Sequence, residues 1–127
     1  MENITVKQRV PIDRVGDLLC SAWEGGSAYW CRVESKHQPE VITFGTMDGK
    51  PYAHEIALNE GGSVTLRDIE DDKIIAKRLT LSAVVDGLQV MAEKYPKHFA
   101  DFLSENDDAT TGDVFLQCCI FGEVIYG

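Results

Sequence analysis

The sequence predicts an α+β fold: one domain over residues 1–127, an antiparallel sheet of about five strands packed by three or four helices. Three observations carry this expectation. Apolar residues recur at helical spacing near the start and through the C-terminal half. Between these stretches, residues 28–70 alternate in short runs separated by turn residues, the pattern of an antiparallel meander. The hydrophobic content of 44% over 127 residues suffices for one core of ordinary size.

Each element has its own justification. ITVKQRV, starting at Ile4, alternates and reads as a first strand. Pro11 suits a helix start, because its missing N–H would have gone unsatisfied there. Ile12, Val15, Leu18, Leu19, Ala22 and Trp23 then form one helical stripe. Gly25-Gly26 should end it in the left-handed conformation. Ala28 to Val33 reads as a strand, with Trp30 on one face and Tyr29 and Cys31 on the other. Trp23 and Trp30 are expected to anchor the helix–strand corner. VITFG at 41–45 is a short strand, Asp48-Gly49 a hairpin turn, PYAHEIALN an alternating strand, and SVTLRDIE at 63–70 another. Ile74 and Ile75 give a short strand or an anchor.

Thr80 can cap a helix whose stripe runs from Leu81 through Val84, Leu88 and Met91 to Tyr95. Gly87 inside it costs about 1 kcal/mol against alanine, which points to close packing at that position. Pro96 breaks the run, and KHFADFLSE gives a further helix. The acidic loop SENDDATTGD can cap the last helix through Thr110 or Thr111, or through Asp107 or Asp108. DVFLQCCIF is apolar around nearly its whole circumference, so it is central in the fold or paired in a homodimer. EVIYG reads as a terminal strand.

The net charge is −9, and residues 81–127 hold eight acids against two bases. That balance disfavours direct binding to nucleic acid, where affinity comes from Lys and Arg neutralising phosphates. It suits solubility, or competition for a basic groove on another protein. Acids cluster at Glu70, Asp71 and Asp72 and again at Glu105, Asp107 and Asp108.

Residues with the chemistry of catalysis do not assemble into a motif. The cysteines (Cys20, Cys31, Cys118, Cys119) lack metal-ligand spacing and read as reduced, buried thiols. His37, His54 and His98 are scattered over a loop, a strand and a helix start, so neither a metal nor a cofactor is expected. Cys31 with His54 could form a nucleophile–base pair only by chance placement of the two strands. Phosphate loops, dinucleotide fingerprints and nucleophile elbows are absent from the sequence. Gly25-Gly26 and Gly61-Gly62 read as turns and not as phosphate cradles. No apolar run is long enough for a membrane helix, and the N-terminus lacks a signal-peptide pattern. The expected location is therefore cytosolic.

Two stretches resemble a family of small proteins encoded by bacteriophages and prophages. One is E-G-G-x-x-Y-W-C at Glu24 to Cys31, preceded by matching positions at Ile12, Asp13, Leu18, Leu19 and Ala22. The other is D-V-x-L-Q-x-x-x-F-G-E-x-x-Y-G at Asp113 to Gly127. The resemblance covers both ends of the chain and implies no catalytic residue. It implies a phage accessory protein made in the host bacterial cytoplasm. By size and acidity such a protein is similar to anti-CRISPR proteins, which act by binding. The first expectation is thus an inhibitor of a host defence protein, such as a CRISPR effector, with the clusters at 70–72 and 105–108 mimicking phosphates. The second is a binder of nucleotide immune signals, using Tyr29 and Trp30 as a stacking platform and Arg32 or Arg67 for phosphate. A phage accessory protein without an immune role and an enzyme complete the set.

Overall fold

A computed structural model describes residues 2–45 and 51–127. The Asp48-Gly49 turn expected from the sequence lies outside them. Helix α1, Ile12–Ser21, follows Pro11, whose carbonyl accepts from Arg14 and Val15. It buries Val15, Gly16, Leu18 and Leu19. The helix then widens into a π turn, Ala22–Gly26, closed by Ser27 N–H donating to the Ala22 carbonyl at 2.7 Å. Gly25 and Gly26 do end the helix. They do so through this wider turn, and neither takes the left-handed conformation expected of them. Gly26 is needed for close approach: a Cβ there would sit 2.9 Å from the carbonyl carbon of Ala109.

Three strands form one antiparallel sheet in the order β1-β2-β3: β1 is Cys31–His37, β2 Ser63–Asp68, and β3 Lys73–Ile74. The β1–β2 register runs from Cys31 opposite Asp68 to His37 opposite Ser63, with a bulge between Val33 and Ser35. The fold is α+β as expected, but the sheet is smaller than five strands. Side-chain acceptors take the backbone donors that a ladder would have used. The N–H groups of Thr43 and Phe44 donate to Asn59 Oδ1, so VITFG forms no strand. In PYAHEIALN, Glu55 accepts the Tyr52 N–H and starts a short helix α2, Ala53–Ile56. In EVIYG, the N–H groups of Ile125 and Tyr126 donate to Gln117 Oε1. ITVKQRV forms no strand and lies outside the sheet, with Ile4 and Val6 each 83% exposed.

Three longer helices follow: α3 Leu81–Lys94, α4 Pro96–Leu103 and α5 Ala109–Phe121. Thr80 caps α3 as expected, its hydroxyl accepting from Ala83 N–H at 3.2 Å. The cap of α5 is Asp108, which accepts from Thr111 N–H at 3.0 Å; Thr110 and Thr111 lie inside the helix. Gly122 ends α5 in the left-handed conformation, φ 73°. Every residue of α5 from Thr111 to Ile120 is buried, against α1, the π turn, α3 and α4. Its apolar circumference is thus accounted for within one chain, and the helix gives no reason to invoke a homodimer. Gly87 is the contact point with α3: a Cβ there would stand 2.8 Å from Cys119 Cα.

Candidate functional site

Trp30 follows the π turn and lies wholly inside the core. Its ring stacks on Tyr126 with centroids 5.2 Å apart and tilts against Phe121 at 5.3 Å. Its Nε1 donates to Asp113 Oδ1 at 2.7 Å. The same carboxylate accepts from Ser27 Oγ at 2.7 Å, Tyr29 OH at 2.7 Å and Gln117 Nε2 at 3.2 Å. Burial and this bond to Asp113 push the Tyr29 phenol up to about 12. Gln117 lies one turn beyond Asp113 and binds the C-terminal segment, accepting from Ile125 and Tyr126 and donating to the Tyr126 carbonyl. Four donors on one buried carboxylate make a fold lock, because a buried charge is tolerated only when fully hydrogen-bonded.

The aromatic ligand site expected from the sequence therefore does not assemble. Trp30 has no open face. Tyr29 exposes part of its ring, but its hydroxyl is taken. Arg67 forks onto Glu34 at 2.8 and 3.1 Å and reaches Asp72 at 3.2 Å. Arg32 stands exposed beside it, its cross-strand partner.

The six clustered acids divide into two groups. Asp107 holds Arg14 at 2.8 Å, and that guanidinium also donates to the Phe102 carbonyl and lies 5.0 Å from the Phe102 ring centre. Asp108 is the cap of α5. Glu105 stays solvent-exposed, 3.8 Å from Arg14. The second group sits at the β2–β3 turn. Asp72 adopts φ 52° and reaches Arg67. Glu70 and Asp71 are exposed at the tip, and their side chains form no ion pair among the described residues.

Asp68 braces that tip. Its Oδ1 accepts the N–H groups of Glu70 and Asp71, at 2.9 and 3.3 Å. Its Oδ2 accepts from the Tyr126 hydroxyl in a short hydrogen bond. Burial opposes charge on Asp68, but these donors outweigh it and hold the carboxyl below its usual range. The same bond, aided by burial and the nearby Asp71 and Glu70, pushes Tyr126 up to about 12. The turn thus presents two free carboxylates on a fixed frame tied to the lock around Trp30.

The nucleophile candidates are far from active. Burial pushes the Cys31 thiol up to about 12 and Cys118 to about 11, and drives Cys119 well above its ordinary value. His54 lies on α2, stacked on Tyr52 at 5.6 Å, not on a strand beside Cys31. Among the described residues, no group of three or more His, Cys, Asp or Glu side chains is placed to hold a metal. No helix there is long and apolar enough to cross a membrane.

Sequence reasoning missed Asp68, Asp113, Gln117 and Tyr126 as a connected set. One signal was available: Asp113 and Gln117, four apart in an otherwise apolar helix, must both face buried partners. No protein family, curated protein or solved structure matches the chain.

Proposed function

We propose that this chain is a binding protein that occludes a basic surface of a host defence protein, with Glu70 and Asp71 as its contact carboxylates. The observation that carries this reading is the braced acidic turn. Two unpaired carboxylates stand on a backbone held by Asp68, so little ordering is needed when a cationic partner docks. Of the second cluster only Glu105 remains available, since Asp107 and Asp108 are engaged within the fold. The net charge of −9 favours association with basic sites that otherwise hold phosphates. The phage setting, and with it the host bacterial cytoplasm, rests on the resemblance of the two terminal motifs; the anti-CRISPR reading rests on similarity of size and acidity alone.

The test is a reconstituted nuclease assay with purified CRISPR effectors, over a salt series. Inhibition should weaken steeply with salt. E70K/D71K should abolish it, while D108N, which touches only the cap, should not. Salt-insensitive inhibition, or inhibition that survives E70K/D71K in a folded protein, refutes the role of the turn.

A further inference from the structure

We propose that the N-terminal arm, residues 2–9, is exchanged between two copies of this chain, each arm seated on the outer face of the other copy's α3. This is independent of the partner-binding reading. It is also independent of α5, whose apolar surface is used up within one chain. Helix α3 carries two apolar stripes. Val84, Gly87 and Met91 are buried inward. Val85, Leu88 and Ala92, one position further round, repeat at i, i+3 and i+7 and so share a second face. Val85 is 57% exposed, and Leu88 and Ala92 are only half-buried. With Phe99 of α4 they line a groove of about 610 Å³.

The arm is the unpartnered counterpart of that groove. Residues 2–9 are exposed, and among the described residues 2–10 form no backbone–backbone hydrogen bond. Yet their sequence is that of a strand. Once paired, Ile4 and Val6 fall on one side and Thr5, Lys7 and Arg9 on the other. Ile4 and Val6 stand in solvent and take no part in the core. The chain's own arm already forms one wall of the groove, at Thr5 to Gln8 and at Val10, so it is not also the filling. Its root is fixed there, because Val10 packs on the core and Pro11 leads directly into α1.

Charge selects a second copy as the occupant. Asp86 and Glu93 flank the outer stripe, next to Val85 and Ala92, and both are exposed. Lys7 and Arg9 are the cations of the arm. None of these four forms an ion pair among the described residues. The neighbouring cations of α3 and α4 are engaged, Lys94 with the Gly122 carbonyl and Lys97 with Asp101. The net charge of −9 opposes self-association in general. The arm is the local exception, with Lys7 and Arg9 against Glu2 alone. A two-fold axis makes the contact reciprocal, so that each copy gives an arm and receives one. It also sets the two arms antiparallel, where their free backbone groups can pair with each other.

Sedimentation equilibrium of the full chain over a concentration series tests the exchange. The wild type should form a dimer in the micromolar range. I4D/V6D, which spoils the arm, and Val85→Glu, which spoils the groove, should each weaken it by about a hundredfold or more. All three positions are exposed, so both variants should keep the wild-type circular dichroism and unfolding midpoint. The decisive sample is a mixture of the two variants. Each variant alone has both arm–groove contacts broken, whereas a mixed pair keeps one intact, the Val85→Glu arm in the I4D/V6D groove. The mixture should therefore associate more tightly than either variant alone. A wild type that stays monomeric at millimolar concentration overturns the proposal, as does a dimer that survives either variant. A mixture that associates no better than its components overturns the exchange of arms. Amides of Ile4 and Val6 protected from solvent exchange in a monomer would place the arm on its own chain and overturn it equally.

Discussion

Asp113 and Tyr126 are the two residues on which most of the polar interior depends. Asp113 is an acceptor for four donors from two parts of the chain, the turn at 27–30 and α5 itself, and amidation would turn one of its oxygens into a donor facing donors. Asp113→Asn should therefore cost about 3 kcal/mol of stability, against about 1 kcal/mol for Tyr29→Phe, which removes a single donor. Urea unfolding of both variants gives the comparison. Tyr126 makes a pH prediction possible. Its phenol is raised from 10.0 to about 12 in the folded chain. Stability from its neutral, donating form is thus fully present below pH 10 and is lost as pH rises to about 12. The stability gap between the wild type and Tyr126→Phe should shrink across that window. Cys31 and Cys118 lose stability in the same alkaline range, but both proteins contain them, so their effect cancels in the gap. A gap that is constant from pH 9 to pH 12 would refute the assignment.

The helices carry the packing, and close approach of backbones sets how tightly. At the α3–α5 contact, Gly87 lets Cys119 come within the space of a methyl group. Gly87→Ala gains about 1 kcal/mol of helix preference, yet overpacking costs about 1–3 kcal/mol. The net should be a lower unfolding midpoint. Gly25→Ala, whose Cβ meets open space, should change stability by no more than about 0.5 kcal/mol. The same contrast shows what the sequence could reveal about the elements. Gly87 was legible as a packing site because glycine is otherwise costly in a helix interior. The helices around it were legible because Thr80, Pro96 and the apolar stripes act locally. The strands were overestimated because period-2 alternation also suits extended segments whose donors are met elsewhere. Asn59 and Gln117 meet those donors from 15 or 16 and from 8 or 9 residues away. Alternation carries no trace of such pairings. The braced turn was half legible: its acids stood out, but Asp68 and Tyr126 are 58 residues apart.

At the scale of the whole molecule, buried α5 links the two ends of the chain. The C-terminal segment folds back over it, stacks Tyr126 on Trp30 and reaches Asp68 at the base of the acidic turn. The stretch that makes the core around Trp30 also fixes the turn proposed to meet a partner. Deleting residues 123–127 separates these roles from the helical frame. It removes both N–H donors from Gln117 Oε1, which is fully buried in the intact chain, and uncovers one face of Trp30. Stability should fall by about 3 kcal/mol or more, from the lost stacking and the unpaired amide oxygen. Tryptophan emission should shift to the red, while far-UV circular dichroism keeps its helical signal below the new unfolding midpoint. Losing the Tyr126 donor also weakens the hold on Asp68, so the amides of Glu70 and Asp71 should exchange faster with solvent. Tyr126→Phe should speed that exchange without the red shift, because the ring still covers Trp30. Unchanged exchange in both variants would mean that Asp68 holds the turn unaided, and that the core and the proposed contact surface are independent.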